Sequence, residues 1–134
     1  MEKVEEIKAK QKSEAEGEKY PEVEKKPEIT IDDFDKVQIQ VGEVIKCEPV
    51  KKAKKLLVSQ IKIGAETRQI VSGIAKYYKP EEMVGKKVAV ITNLKPCKLC
   101  GVESQGMILA AGDDEGNLSV VTVDKDIISG SEIC

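Results

Sequence analysis

Apolar and polar residues alternate near residue 40 in the manner of a half-buried β-strand. Val37, Ile39 and Val41 are separated by two glutamines, which gives the two-residue period of a strand with one buried face. Gly42 interrupts this period, and the pattern resumes after it with a changed phase. We therefore expect a bulge or a sharp bend at Gly42, as a tightly curved barrel requires.

The same criterion predicts five further strands and one short helix. Pro80-Glu81-Glu82 has the composition of a first helical turn, and Gly85 is expected to end that helix. Several short strands with one helix between the third and the fourth predict a mainly β fold, a small closed barrel. The further strands are expected over residues 57–63, 68–71, 88–91, 107–111 and 118–123.

Residues 1–29 differ in composition from the rest of the chain. They are rich in Glu and Lys, poor in apolar groups and punctuated by Pro21 and Pro27. Such a segment cannot bury enough apolar area to offset its chain entropy, so we predict a charged linker or tail, partly helical over residues 2–16. With 134 residues in all, the chain has room for one ordinary domain, expected over residues 30–134.

Charge is strongly segregated along the chain, although the formal net charge is only −2. Residues 36–98 hold 14 Lys or Arg against 5 Glu, a net charge of +9, whereas residues 99–134 hold one Lys against 7 acids, a net charge of −6. A binding partner senses a local patch within a screening length of about 8–10 Å, not the total charge. The basic middle of the chain is therefore suited to an anionic partner such as nucleic acid, unless the lysines are simply spread over a solvated surface.

Four lysines are crowded between Pro49 and the next predicted strand, in the run Lys51-Lys52-Ala53-Lys54-Lys55. Like charges this close on a loop repel one another, and a polyanion would neutralise them with release of counterions. The alternative interpretation is a loop that only keeps the protein soluble.

Residues 92–107, TNLKPCKLCGVESQGM, are the most unusual segment of the chain. Lys95 and Lys98 flank a proline in what we expect to be a rigid loop, and Gly106 would allow a close approach of backbone. Met107 would pack either on a base or sugar, or in the protein core. Hydrogen-bonding groups suited to phosphate, ribose or base edges are offered by Asn93, Ser104 and Gln105.

The cysteines give no strong indication of a metal or redox site. Cys97-Lys98-Leu99-Cys100 is a single CxxC motif, and Cys47 and Cys134 are distant from it in sequence. A closed zinc site needs four ligands, and a thioredoxin-like motif needs a βαβ context that the pattern lacks. We expect free thiols, with zinc binding and redox chemistry as the alternatives, and no cofactor.

The sequence also argues against catalysis and against a membrane location. The chain has no histidine, no GxxxxGK[ST] phosphate loop and no GxSxG nucleophile motif, and its acidic cluster Asp113-Asp114-Glu115 has the composition of a solvated turn. No apolar run approaches the roughly 18–20 residues that span a membrane, and no secretory signal is evident. These features predict a soluble, cytoplasmic protein that is not an enzyme on its own.

Residues 34–111 resemble the tRNA-binding domain that is appended to methionyl-tRNA synthetase in bacteria and also occurs in free-standing structure-specific tRNA-binding proteins. The resemblance lies in FDKVQIQVGEVI, EPVKKAKKLL, RQIVSGIAKYYKPEEMVGKKVAVITNLKP and GVESQGMILAAG. The charged tail is similar to the linker that joins this domain to the synthetase. The resemblance implies that the chain is a fragment of a methionine–tRNA ligase without its catalytic body.

This resemblance further implies a five-stranded OB-fold barrel with a β-rich C-terminal extension that contributes to a homodimer. Members of the family bind tRNA by shape, with little sequence readout. Lys54 and Cys100 depart from the family pattern: Lys54 replaces a common Asp and adds positive charge, whereas Cys100 removes one possible phosphate contact. The implied tRNA contacts are Lys54, Lys55, Arg68, Asn93, Lys95, Lys98, Ser104 and Met107.

Two alternatives to a tRNA-binding and dimerisation module remain. One is a dimeric, chaperone-like OB-fold protein that binds unfolded polypeptides, and the other is a dimerisation module without a ligand. The charged tail and the basic residues 36–98 favour RNA. A face with many lysines and few aromatic residues suits the backbone of a folded RNA better than stacked single strands.

Overall fold

The computed structural model describes residues 20–134, which form a mainly β structure with two very short helices. The elements are α1 (Ile31–Phe34), β1 (Ile39–Val50), β2 (Ala53–Ile63), β3 (Glu66–Ser72), α2 (Pro80–Met83), β4 (Lys87–Ile91), β5 (Cys97–Leu99), β6 (Val102–Ser104), β7 (Met107–Ile108), β8 (Ala110–Gly112), β9 (Leu118–Val120) and β10 (Glu132–Ile133). The predictions of a mainly β fold and of a helix between the third and fourth strands are confirmed.

One antiparallel sheet organises the described residues. Its strands lie in the order β3-β2-β1-β4-β7, and β10 adds to β1 with Ile39 opposite Ile133. Two small hairpins, β5-β6 and β8-β9, project from this sheet as separate two-stranded ladders. The long strands β1 and β2 are the scaffold, and the hairpins stand near their ends.

The two ends of the main sheet approach each other through Gln69 and Gln105. The backbone N–H of Gln105 donates to the carbonyl of Gln69 at 2.7 Å, and the N–H of Gln69 donates to Oε1 of Gln105 at 3.1 Å. These bonds join β3 to the residues just before β7 without a continuous ladder of paired strands. The arrangement is compatible with the OB type, while a closed barrel of five strands stays a prediction.

The core lies inside the curve of this sheet. Its fully buried members come from β1, β2, β3, β4 and α2, and burial of such side chains contributes about 1.5–3 kcal/mol each. Helix α2 supplies Met83, which is fully buried, and so caps the open end of the core. The largest buried apolar side chains are Val41, Val44, Leu57, Ile61, Ile70, Met83, Val88 and Val90.

The register of β1 is not interrupted where the sequence pattern placed a bulge. β1 pairs with β4 through Gly42 without a shift, whereas its register against β2 shifts between Val44 and Lys46, at Ile45, and again near the end of β1. A Cβ at Gly42 would lie 2.5 Å from Cγ2 of Ile61, a residue of the neighbouring strand β2. The prediction of a bulge at Gly42 is therefore wrong, and this glycine instead leaves room for the side chain of Ile61. The alternative of a sharp bend at this position stays a prediction.

The strand predicted over residues 107–111 is divided into two. β7 pairs with β4, whereas β8 pairs with β9, and Leu109 lies between them. The N–H of Leu109 donates to the carbonyl of Ala89, and its own carbonyl accepts from Val121. The chain thus changes partner strand at Leu109, which an unbroken apolar run cannot reveal.

Two segments expected to be loops contain strands. Lys54 and Lys55 belong to β2, so only Lys51 and Lys52 form the turn between β1 and β2. Within residues 92–107, β5 and β6 form a hairpin whose turn is Cys100-Gly101, with φ of 50° and 81°. Positive φ at both turn residues is typical of a type I′ hairpin, which twists in the same sense as its strands.

The tail and domain boundary stay predictions for the most part. The helix expected over residues 2–16 lies outside the described residues. Residues 20–29 are exposed and carry neither helix nor strand. Helix α1 begins directly afterwards with a capping box, in which Thr30 and Asp33 each accept a hydrogen bond from the other's backbone.

Candidate nucleic-acid interface

The lysine-rich turn and the β5-β6 hairpin lie side by side. Leu99 and Cys100 of the hairpin share one surface depression with Ala53, Lys54 and Lys55. A second depression brings Cys100, Gly101 and Val102 together with residues 49–52 and Val58. Two segments about 45 residues apart in sequence therefore form one surface, because β1 and β2 extend to the base of the hairpin.

We call this surface the basic ridge and define it by Lys51, Lys52, Lys54, Lys55 and Lys98. All five side chains are exposed, and within residues 20–134 none of them forms an ion pair. By contrast, Lys36, Lys46 and Lys87 are each paired with a carboxylate in the same part of the chain. None of these five ammonium groups is thus held in an ion pair by the described residues, so all five can meet an anion at the surface.

Pleating of the β5 strand divides the hairpin into two faces. Cys97 and Leu99 both line an apolar cleft, whereas Lys98 lies between them and alternates to the opposite face. Glu103 is the cross-strand partner of Lys98, but no ion pair joins the two side chains. Lys98 therefore projects its charge to solvent.

The apolar cleft has a volume of about 480 Å³ and separates residues 94–99 from the ends of β3, β7 and β8. Lys95 and Met107 lie at its lining, so the structure brings these two predicted site residues together. Met107 and Leu94 are 44% and 45% exposed, respectively, so both leave apolar surface in water. The sequence left open whether Met107 lies in the core, and the structure shows that it does not.

Asn93 uses both halves of its side-chain amide to hold the backbone just before β1. Its Oδ1 accepts from the N–H of Gln38 at 2.8 Å, and its Nδ2 donates to the carbonyl of Lys36 at 2.6 Å. These bonds fix the chain that enters β1 against the end of β4. The predicted tRNA contact at Asn93 is untested, and its polar atoms already have partners.

Ser104 is buried at 3% exposure and makes two hydrogen bonds. Its Oγ accepts from the N–H of Val71 at 3.0 Å and donates to the carbonyl of Gly106 at 3.0 Å. These bonds join β6 to β3 and hold the backbone beneath the cleft. A role of Ser104 in binding would thus act through the shape of the loop.

Arg68 reaches from β3 toward the loop and is largely covered. Its Nε donates to Glu66 at 2.9 Å, and one terminal nitrogen donates to the carbonyls of Thr92 and Gln105. The guanidinium therefore ties the end of β4 to the residues before β7. Its predicted contact with tRNA also stays a prediction.

Gly106 lies where the chain passes closest to β4. A Cβ at this position would be 2.9 Å from the carbonyl oxygen of Ile91 and 3.2 Å from Cδ1 of Ile70. The close approach expected from the sequence is therefore present, and the backbone that approaches is the protein's own. This contact sets the position of Met107 at the cleft.

The cysteines are free thiols in the structure. Cys97, Cys100 and Cys134 are exposed, whereas Cys47 is buried and accepts a hydrogen bond from Oγ of Ser59 at 3.4 Å. Burial raises the pKa of the Cys47 thiol above its ordinary value of 9.0. Residues 20–134 contain no group of three or more His, Cys, Asp or Glu side chains placed to hold a metal ion.

Several residues of the interface were missed or undervalued by sequence reasoning. Lys51 and Lys52 were noticed as part of the run but not named as contacts, and Leu94 and Leu99 were not considered. A signal for the cleft was present in the apolar residues that alternate with lysines in the segment NLKPCKL.

Within the described residues, no helix is long and apolar enough to cross a membrane.

Comparison with known proteins agrees with this geometry. The profile of a family described as "Putative tRNA binding domain" matches residues 39–132. A methionine–tRNA ligase of Methanocaldococcus jannaschii is 60% identical over 110 residues, which cover 82% of this chain but only 17% of the ligase. The chain therefore spans a small part of the length of this curated relative.

Two solved structures have similar folds. A MetRS related protein from Pyrococcus horikoshii is 39% identical, with a TM-score of 0.77, over 81% of this chain and all of that one. A CsaA chaperone protein from Picrophilus torridus is 26% identical, with a TM-score of 0.73, over 80% of this chain and all of that one.

Proposed function

Since the chain belongs to the tRNA-binding domain family matched over residues 39–132, we propose that it binds tRNA without catalysing a reaction. It would act as an RNA-binding and dimerisation module of a methionyl-tRNA synthetase and raise the affinity of the catalytic body for tRNA. The observation that carries the proposal is the basic ridge, five exposed lysines that form no ion pair within the described residues.

The mechanism begins with electrostatic capture. The ridge attracts the phosphates of the RNA, and each phosphate that a lysine neutralises releases condensed counterions. Phosphate contacts carry no sequence information. The ridge therefore suits an RNA that is recognised by the positions of its phosphates and by its shape. The hairpin then docks with Lys98 on one face and the apolar cleft on the other.

Hydrogen bonds within the protein hold this surface in place before binding. Asn93, Arg68 and Ser104 each tie two distant segments together beneath the interface. A surface that is already ordered loses little side-chain and loop entropy on association. We therefore assign these three residues a positioning role, and Lys54, Lys55, Lys95, Lys98 and Met107 the direct contacts.

Dimerisation is proposed from the C-terminal segment. Ile127 and Ile128 are exposed, as is Val121, and Lys87 anchors this segment by donating to the carbonyl of Ile127 at 2.6 Å. Apolar side chains held on a fixed backbone suit a second copy of the chain. Two ridges in one dimer would present twice the positive charge to one RNA.

Fluorescence anisotropy of labelled tRNA tests the proposed function directly. The chain is titrated at low and at physiological salt, with single-stranded DNA of equal length as competitor. We expect tRNA to bind, to weaken steeply with salt and to resist the DNA. Equal competition by DNA would contradict shape recognition, and no binding at low salt would contradict RNA binding altogether.

A chaperone-like function is the second candidate. It is favoured by the similarity to the CsaA chaperone protein of Picrophilus torridus and by the apolar cleft. Such a protein would suppress aggregation of an unfolded model substrate. Suppression without any affinity for tRNA would favour this candidate over the first.

A further inference from the structure

The apolar cleft beside the basic ridge is built unlike a phosphate site. Its lining comes mainly from aliphatic side chains, among them Val71, Ile74, Leu94, Leu99 and Ile108. Its volume of about 480 Å³ falls in the range of roughly 300–1,000 Å³ that is typical of small-ligand sites. An apolar concavity of this size can cover a flat, weakly hydrated group but offers little to a phosphate.

The rim of the cleft is positively charged. Lys95 belongs to its lining, is exposed and forms no ion pair within residues 20–134. Leu99 lines both the cleft and the depression that holds Lys54 and Lys55, so the cleft and the ridge adjoin. The cleft thus has apolar walls next to lysines that form no ion pair. Such a site complements a ligand in which a weakly hydrated ring is linked to an anionic group.

The wall of the cleft also contains a polar atom without a partner. The hydroxyl oxygen of Ser72 is buried and has no hydrogen bond within the described residues, although Ser72 belongs to the lining. A buried hydroxyl without a partner costs free energy, which a polar ligand edge would recover. Serine turns about a single side-chain bond between staggered positions about 120° apart, and contact with a ligand requires the position that faces the cleft.

We propose that the cleft holds one unstacked nucleobase of the bound RNA, with Lys95 on the adjoining phosphate. Nucleobases removed from a stack are held between apolar or aromatic side chains and by hydrogen bonds to their edges. The aliphatic walls cover the two faces of the ring, and Ser72 meets one polar edge. This inference rests on the proposed tRNA-binding function. It adds a contact with one base to a surface whose other proposed contacts are with the phosphate backbone of the RNA.

The position of two cysteines allows the cleft and the ridge to be probed separately. Cys97 lines the cleft, whereas Cys100 lies in the two depressions of the ridge and not in the cleft. Alkylation of each thiol by iodoacetamide can be followed by peptide mass spectrometry on the whole chain. The two probes are tRNA and inorganic polyphosphate, which is a polyanion without bases.

We expect both probes to slow alkylation of Cys100, and only tRNA to slow alkylation of Cys97. Protection of Cys97 by polyphosphate to the same degree would overturn the proposal, since charge alone would then explain it. Protection of Cys97 by an unfolded apolar peptide, with none by tRNA, would also overturn it and identify the cleft as a peptide site.

A filled cleft gives an independent test. Ala110 is exposed and lines the cleft, whereas Ala111 follows it on the other face of β8 and lines a different depression. We expect Ala110→Leu to weaken tRNA binding about tenfold with an unchanged salt dependence, because the ridge lysines are intact. Ala111→Leu is the matched control and should bind like the original chain.

The outcomes separate this inference from the function on which it rests. Normal tRNA binding by Ala110→Leu, together with unprotected Cys97, would overturn the base site and leave the tRNA-binding function standing. Absence of tRNA binding by the unaltered chain would remove both.

Discussion

Asn93 and Gln38 are 55 residues apart in the sequence and joined by a hydrogen bond of 2.8 Å from the backbone N–H of Gln38 to Oδ1 of Asn93. The same side chain donates from Nδ2 to the carbonyl of Lys36. Asn93, which the sequence predicts as an RNA contact, therefore also joins the entry to β1 to the exit from β4. The contact with RNA stays a prediction, and the structural role is the part that the hydrogen bonds show.

Replacement of Asn93 should lower the free energy of unfolding. We expect Asn93→Ala to lower the free energy of unfolding by about 1–3 kcal/mol, because two backbone groups lose their partner. Asn93→Asp keeps the acceptor for Gln38 but places a carboxylate oxygen against the carbonyl of Lys36, so it should not restore the lost stability. Urea unfolding measures the stability of both variants. Equal stability of the two variants and the original chain would contradict the structural role of Asn93.

The charge of Lys98 should matter for RNA and little for folding. We expect Lys98→Glu to weaken tRNA binding about tenfold or more and to reduce its salt dependence, because a phosphate contact becomes a repulsion. The thermal midpoint should fall only slightly, since Lys98 is exposed and forms no ion pair within the described residues, and the new carboxylate opposite Glu103 costs about 0.2–1 kcal/mol.

Lys62 provides a matched control for this charge reversal. It lies eight residues beyond Lys54 on the same strand, about 26 Å away at the usual strand rise, and it too is exposed. Lys62→Glu should retain most of the tRNA affinity. An equal loss in both variants, measured by anisotropy, would indicate a general effect of net charge and no localised ridge.

The close contact at Gly106 should make this position intolerant of a side chain. A Cβ would meet the carbonyl oxygen of Ile91 at 2.9 Å, so we expect Gly106→Ala to lower stability by about 1–3 kcal/mol. A Cβ at Gly112 would lie 3.7 Å from the carbonyl oxygen of Asn117, an ordinary van der Waals distance, which makes Gly112→Ala a control. Similar thermal midpoints for the two variants would contradict the steric argument.

The buried thiol of Cys47 should make stability sensitive to alkaline pH. Burial raises its pKa in the folded chain, so the folded state holds this proton more tightly than the unfolded state does. The resulting stability is fully present below the unfolded pKa and is lost as the pH rises through the folded pKa. In urea unfolding between pH 8 and about 10.5, the original chain should therefore lose more stability than Cys47→Ala does.

The exposed C-terminal isoleucines should decide the oligomeric state. We expect Ile128→Glu to shift the chain from dimer to monomer in sedimentation, because a charge would enter an apolar contact. Val23→Glu alters an equally exposed apolar residue outside the sheet and should leave the oligomeric state unchanged. A monomer already in the unaltered chain would contradict the proposed dimer.

The alternation of apolar residues was enough to locate the main strands, because one face of each strand is buried and the period is local. It correctly indicated β2, β3, β4 and the helix α2. Two of its errors occurred where pairing changes: at Leu109, where the chain exchanges one partner strand for another, and at Ile45, where the register shifts. It also missed the exposed hairpin of β5 and β6, whose strands are only three residues long. Nothing in the local pattern specifies the partner of a strand.

The sequence by itself determined the strand-rich fold class, the basic character of residues 36–98 and the segment that carries the proposed interface. Composition, period and motif are properties of neighbouring residues, so they can be read without coordinates. Only the tertiary structure decided which polar residues of that segment are bonded to distant parts of the backbone. Asn93 bonds to the backbone just before β1 and Ser104 to that of β3, whereas Lys98 forms no ion pair within the described residues, because hydrogen-bond partners far apart in the sequence are set by the way strands fold against one another.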